Sequence, residues 1–384
     1  MRHVLLALIV VALVSVGPAV SLAAAQAPAA TTSGVVPTLG VETRFDDNIF
    51  SQPTATSDLV LRVQPGIAFG RTRSQATWTA AYGFDAEQYQ QHSELASPFA
   101  RQSLAFNAST RVGPRSSFAW SAGYLSTLNQ SELNTLTNLN VGRVRSNHVD
   151  GNVSFRRSLT PHADVTLGSS FGRSESDQLG RTDSTAVDVR LASHVSPHAD
   201  VFLYGDAQEF DITGVVNSGT HRSESVGGGW SRRGRATTVS LETGIQLNDG
   251  EPGPRVALTF ERRFRSASVT TSYTRNVTTA LGVGGTIAFD NVQVGLRRRS
   301  ATNPRAWQAG ITGGFVQNRI SSSDVRAIQV MADASKPITK TLSIRLSYNR
   351  WMQQGNYVLP TSLGGRVLRN QLSVGLSISP RSSR

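Results

Sequence analysis

The 384-residue chain has no cysteine. That excludes disulfides, thiolate metal centres and a cysteine nucleophile, and it fits a protein that folds outside the cytoplasm without oxidative help. Lysine is nearly absent too. Lys336 and Lys340 are the only two, so arginine carries almost all of the net charge of +12. The arginines are spread along the chain rather than gathered in one segment, which argues against a nucleic-acid partner. No Gly-rich phosphate loop is present, and no carboxylate pair is set for glycoside hydrolysis. Of the seven histidines, His148 and His194 are the two expected to line an interior, and neither has a serine beside it in a nucleophile motif. No enzyme activity, cofactor or metal is expected.

Long apolar runs are also missing beyond the N-terminus. There, Met1-Arg2-His3 is a basic start and Val4 to Val14 an apolar core, broken by Gly17-Pro18. Ala23-Ala24-Ala25 and Ala25-Gln26-Ala27 offer small-x-small cleavage sites. The core is shorter than the roughly 20 residues of a spanning helix. The reading is a signal peptide over 1–27, a flexible leader over 28–37, a barrel over 38–380 and a tail over 381–384.

What the chain does have is alternation. Thr237 to Leu247 puts Val239, Leu241, Ile245 and Leu247 on one face and Ser240, Glu242, Gly244 and Gln246 on the other. Ser117–Leu125, Leu342–Tyr348 and Gln371–Ile378 repeat the pattern. This is the period-two signature of strands with one apolar and one small-polar face. Tight turns are expected near Arg71–Arg73, Gly113–Arg115, Thr160–His162, Ser196–His198, Arg233–Arg235, Arg265–Ser266, Asn303–Arg305 and Pro337–Lys340. Longer polar segments lie between them, including Asp46–Asp58, Gln90–Arg101, Ser126–Asn147 and Gln353–Asn370. Short turns alternating with long loops predict an all-β, antiparallel up-and-down transmembrane barrel of about 18 strands. Weak patterning in Val283–Arg298 and His221–Trp230 leaves 16 open. Both termini then lie on the periplasmic side of an outer membrane.

The opening Arg44-Phe45-Asp46-Asp47-Asn48-Ile49-Phe50, followed by the Pro65-Gly66 strand, resembles the signature hairpin of the β-barrel porin 2 family. The Thr/Ser-Pro turns at Pro161 and Pro197 are similar to that family's turns. The resemblance implies an outer-membrane conduit or scaffold for export of a secreted polysaccharide, with an export partner protein and no catalytic residues. Partners expected of any such barrel are lipopolysaccharide, membrane lipid and the barrel assembly machinery. Many barrels end on an aromatic residue, whereas this chain ends Ile378-Ser379-Pro380-Arg381-Ser382-Ser383-Arg384.

Strand parity points Arg44, Arg62, Arg156, Arg190, Arg263, Arg297 and Arg345 into the lumen, with Glu42, Asp188, Glu242 and Glu261. Guanidinium forks suit carboxylates and sulfates on a passing sugar, and they also serve to pair across strands. Asp46-Asp47-Asn48 with Asp58 reads as a loop-capping cluster, or less favourably as a cation site. Phe45, Phe50, Phe69, Trp78, Tyr82, Trp120, Tyr124, Phe155, Phe171, Trp230, Trp307, Tyr348 and Trp351 read as interfacial girdles, with Trp78 and Tyr204 as candidates for stacking on sugars. Gly227-Gly228-Gly229 and Gly282–Gly285 are placed at strand ends. Polysaccharide export leads, with a general diffusion porin and a structural or adhesive barrel as alternatives. A porin of the second kind needs a constriction loop, and Ser126–Asn147 is its candidate.

Overall fold

The computed structural model describes residues 34–140, 142–214, 218–300, 303, 305–320, 323–355 and 365–379. The expected signal peptide, the tail and half of the expected Gln353–Asn370 loop lie outside them; the other half belongs to the flanking strands. Eighteen strands follow one another: β1 (Gly34–Asp46), β2 (Asp58–Thr72), β3 (Ala76–Tyr89), β4 (Ser97–Gly113), β5 (Ser116–Asn129), β6 (Arg143–Thr160), β7 (Ala163–Ser176), β8 (Gly180–Ser196) and β9 (Ala199–Thr213) make the first half. The second half is β10 (Gly219–Arg233), β11 (Thr237–Asn248), β12 (Glu251–Arg263), β13 (Ala267–Thr278), β14 (Ile287–Arg298), β15 (Gln308–Ile320), β16 (Ser323–Pro337), β17 (Leu342–Gly355) and β18 (Gly365–Ile378). Each pairs antiparallel with the next, and β1 pairs with β18 from Leu39↔Ile378 to Asp46↔Gln371. The sheet is a closed ring with no free edge.

Outward positions are apolar and exposed. Val41, Phe45, Leu59, Leu61, Leu203, Ile245, Val294 and Leu376 are all at least two-fifths accessible. In water so continuous an apolar belt would be costly at about 25 cal/mol per Å². Lipid removes that cost, and closure leaves no backbone group of the ring unpaired in hydrocarbon. None of the described helices is long and apolar enough to cross a membrane; the strands do so instead. An even strand count puts both chain ends on one rim. That rim carries the eight connections expected as tight turns and is called the turn end; the opposite rim is the loop end.

Several expectations need correction. β1 begins at Gly34, so residues 34–37 of the expected leader are strand, laddered on β2 from Gly34↔Gly70. Their outward Val35 continues the apolar row of Leu39 and Val41. The weakly patterned segments form β10 and β14 in full, which decides eighteen over sixteen. Loop lengths alternate less strictly than expected. At the loop end, Asp249-Gly250 closes β11–β12 in two residues at φ 49° and 89°, the left-handed pair of a type I′ hairpin. At the turn end, the β14–β15 connection is longer than the others, though the expected turn is within it, where the Ala306 amide donates to the Asn303 carbonyl at 3.1 Å. Gly227–Gly229 lie within β10 rather than at its end.

Candidate functional site

The lumen is organised by the loop after β5. This loop (residues 130–142) opens with a 3-10 turn at Gln130–Glu132 and runs inward. Its backbone is received by side chains of the far wall. Asn291 Nδ2 donates to the Leu136 carbonyl at 3.2 Å, and Asn318 Nδ2 to the Thr137 carbonyl at 2.9 Å. Trp351 Nε1 donates to the Asn138 carbonyl at 3.2 Å, while Gln353 exchanges two hydrogen bonds with the Asn140 backbone. The receiving strands β14, β15 and β17 lie about halfway round the ring from β5. Leu139 is buried in one apolar cluster with Leu281 and Val283 of the β13–β14 loop, Leu179, Ile287, Ile320, Val325 and Val367. Burying Leu139 alone is worth roughly 1.5–3 kcal/mol, enough to hold a loop that carries few charges. The loop-end mouth is thus crossed by an apolar bar with hydrogen-bonded flanks.

Beside it, on β1, β2, β3 and β18, sits a buried ionic wall. Glu87 accepts from Arg62 Nη2 at 2.6 Å, from Arg44 Nη2 at 3.2 Å and from the Tyr89 hydroxyl at 2.7 Å. Arg143 donates to the Tyr89 hydroxyl at 2.5 Å. Arg44 and Arg62 therefore face inward as parity predicts, yet their guanidiniums are consumed by wall carboxylates. Removing one member of such a cluster would strand an uncompensated charge.

The signature residues have a different task. Asp46 accepts two bonds from Arg369 (Nε 3.0 Å, Nη2 2.6 Å) and one from Gln371 Nε2 at 2.8 Å. Asp47 accepts from the Asn370 amide and side chain, both at 2.6 Å. Asn48 Nδ2 donates to the carbonyls of Leu368 at 2.9 Å and Gln52 at 2.7 Å. Every partner except Gln52 is on β18, so Asp46-Asp47-Asn48 fastens the first strand to the last. Asp58 instead caps the next loop, accepting from the Gln91 and His92 amides. Among the described residues no group of His, Asp and Glu is placed to hold a metal ion.

Further round the wall, Phe202 and Tyr204 lie flat over glycines of the inward face. A Cβ at Gly229 would stand 2.5 Å from the Leu241 carbonyl as well as inside the Phe202 ring, and one at Gly227 would stand 2.6 Å from the Tyr204 hydroxyl. Arg190 covers Phe202 at 3.5 Å and Arg255 covers Tyr204 at 4.8 Å. Tyr204 thus faces the lumen under a guanidinium lid rather than as a bare stacking surface. Arg190 also approaches Glu242 at 3.9 Å, and Arg255 pairs with Asp206. Trp78 points to lipid in a row with Phe69 and Phe106, and Trp120 extends that row. Trp351 and Phe50 depart from the girdle reading: Trp351 is an inward anchor of the crossing loop, and Phe50 packs on Ile49, Val60 and Tyr89.

Three further groups emerge, the first toward the loop end on β6 and β7 and the second toward the turn end. His148 Nδ1 meets Ser174 Oγ across strands at 2.8 Å, with Asp150 3.6 Å from Nε2. That carboxylate is beyond hydrogen-bond reach. His194 bridges Asp200 at 2.5 Å and Asp164 at 3.0 Å, and Asp164 also pairs with Arg156. A recess of about 300 Å³ is lined by Thr77, Thr79, Asn107, Ser109, Ser121 and Asn152. Arg263 pairs with Glu261 at 2.6 Å, and inward Arg297 and Arg345 are exposed. Glu42 and Asp188 face inward as well, opposite Gly375 and Gly168.

No family model matches the chain, and no curated protein sequence matches it. The resemblance to the β-barrel porin 2 family therefore stands on its signature residues alone. Several solved structures align with the chain. OccK2 (OpdF) of Pseudomonas aeruginosa aligns with a TM-score of 0.48 at 9% identity, over 91% of this chain and 98% of that one. OpdO of the same organism gives 0.46 at 10% identity, over 90% and 97%. The siderophore receptor PirA of Acinetobacter baumannii gives 0.47 at 7%, over 91% and 81%. Likeness at this level says nothing about substrate. The chain is a closed eighteen-strand transmembrane β-barrel with a loop laid across its lumen.

Proposed function

We propose that the protein is a porin-like conduit of a bacterial outer membrane, narrowed at its outer mouth by the 130–142 loop and working without catalysis. The observation that carries this reading is the loop's capture by Asn291, Asn318, Trp351 and Gln353 on the far wall. A loop pinned across the lumen sets a size limit, which suits a diffusion channel for small polar solutes. In this reading the turn end faces the periplasm and lipopolysaccharide surrounds the loop end. A second reading, favoured by the Arg44–Asn48 signature, is passage of a secreted polysaccharide delivered by an export partner.

Single-channel recording tests the conduit. The whole chain in a planar bilayer should conduct, and replacing residues 131–140 by a short Gly-Ser linker should raise conductance severalfold. Absence of conductance from both proteins would remove the conduit reading. A clean deletion strain separates the cargoes: lost surface polysaccharide favours export, and reduced uptake of small solutes favours diffusion.

A further inference from the structure

Basic residues that look scattered in sequence converge in space. Half of the 38 Lys and Arg residues lie within five residues of the eight turn-end connections, against four carboxylates, Asp164, Asp200, Glu261 and Asp333. Of the other described acidic groups, Asp188, Asp206 and Glu242 lie at mid-wall and the rest nearer the loop end. Much of the asymmetry comes from Arg-Arg doublets placed where strands descend to the turns: Arg156-Arg157, Arg232-Arg233, Arg262-Arg263 and Arg297-Arg298. All eight side chains are exposed.

Strand parity divides each doublet. One arginine points outward, level with the lipid headgroups, where a guanidinium meets phosphate. The other points into the mouth: Arg156, Arg233, Arg263 and Arg297. Arg111 on β4 and Arg345 on β17 share that inward parity, as their partners Ser117 and Gly375 show. Two of these six are compensated, by Asp164 and Glu261. Among the described residues no carboxylate pairs with Arg111, Arg233, Arg297 or Arg345. The result is a ring of forked cations round the turn-end mouth, not a patch on one flank.

We propose that this ring is a loading site for polyanionic cargo, a flexible chain bearing carboxylates, taken up from the periplasmic side. The proposal rests on the second reading above, export of a polymer through the conduit from its turn end, and adds the charge of the cargo. A low-dielectric rim focuses the field of its charges, raising the local concentration of anions at the opening. Guanidinium forks accept carboxylates bidentately, while exposure keeps each contact weak enough for release. The balanced wall beyond, where Arg190, Arg255, Asp206 and Glu242 offset one another, offers no second trap. A ring open to the lumen all the way round favours a threaded chain over an acidic protein docked on the rim.

The test uses the whole chain in nanodiscs with fluorescent oligogalacturonate as the anionic probe and maltooligosaccharide of equal length as the neutral one. Oligogalacturonate should bind and maltooligosaccharide should not. The combined variant Arg111→Gln, Arg233→Gln, Arg297→Gln, Arg345→Gln should weaken binding about tenfold or more, since each lost charge removes a pairing at the mouth. On the unaltered protein, raising salt from 50 to 500 mM should weaken it by a similar factor, because exposed pairs are screened. That measurement stands if the variant folds poorly. Equal binding of the neutral probe, or binding indifferent to both salt and the four substitutions, would overturn the proposal; salt-sensitive binding that never blocks current would overturn it in favour of an acidic protein docked on the rim. In bilayers of known orientation the probe should block current from the turn end only; block from the loop end only would overturn the direction. A conducting channel that ignores the probe leaves the conduit intact and the ring refuted. A silent channel that still binds the probe does the reverse.

Discussion

Asp46 is the most informative single position in the fold. Its carboxylate is fully buried and holds Arg369, itself 11% exposed in its side chain, by three close N–O contacts, with Gln371 adding a fourth. The seam it secures is the shorter of the two ladders β1 makes: the described β1–β18 register starts at Leu39, whereas β1–β2 starts at Gly34. Asp46→Ala leaves the guanidinium buried and uncompensated, which costs roughly 3–5 kcal/mol where one partner of a buried pair is removed. Asp46→Asn keeps the shape and part of the hydrogen bonding but loses the charge, and should cost about 1.5–3 kcal/mol. Urea unfolding of the protein refolded in lipid vesicles, followed by heat-modifiable mobility on gels, measures both. The double variant Asp46→Asn, Arg369→Gln should recover part of the sum, giving a coupling of about 1 kcal/mol or more. An Asp46→Ala barrel within about 0.5 kcal/mol of the unaltered protein, the range of an ordinary surface substitution, would refute the clamp.

Two other outcomes are expected. Gly229→Ala forces a Cβ against the Leu241 carbonyl and the Phe202 ring, so the folded fraction should fall by an amount typical of overpacking, about 1–3 kcal/mol, read by the same urea titration. At the loop-end hairpin, burial pushes the Asp249 carboxyl upward, but hydrogen bonds from the Arg222 amide at 2.8 Å and from His221 at 2.7 Å outweigh it and leave its pKa lowered. A lowered carboxylate stabilises the hairpin above the unfolded value near pH 4, and that contribution is lost as pH falls through the folded value. Protection of the Arg222 amide, taken relative to its intrinsic exchange rate at each pH, should fall below about pH 4, and Asp249→Asn should abolish that fall.

Much of this barrel is legible in its sequence because turns interrupt alternation with residues of definite preference. Thr160-Pro161-His162 and Ser196-Pro197-His198 sit at connections of two residues each, and parity from Leu59 and Leu61 places Arg62 inside. What parity does not carry is reach. Asp46 and Arg369 are 323 residues apart, and nothing local to either announces the other. Asn318 lies 181 residues from the Thr137 carbonyl it holds, so Ser126–Asn147 reads as a candidate constriction loop while its anchors on the far wall do not. The His148–Ser174 pair escapes because it forms across strands rather than within a motif. The charged rim escapes for an opposite reason. Its arginines are dispersed along the chain, and only the ring's topology collects them. The Arg-Arg doublets preceding turns were the signal available.

Those doublets also bear on how the molecule comes to stand the way it does. A barrel enters its membrane by sending one set of connections through the hydrocarbon while the other stays behind. Carrying a guanidinium past the bilayer midplane costs roughly 2–4 kcal/mol each. Six of the eight turn-end connections are flanked by at least one outward or turn arginine. The Asp249-Gly250 hairpin and its loop-end neighbours carry no such burden of doubled cations. The arginine rim is therefore the more costly of the two ends to carry through the hydrocarbon, which disfavours insertion rim-first.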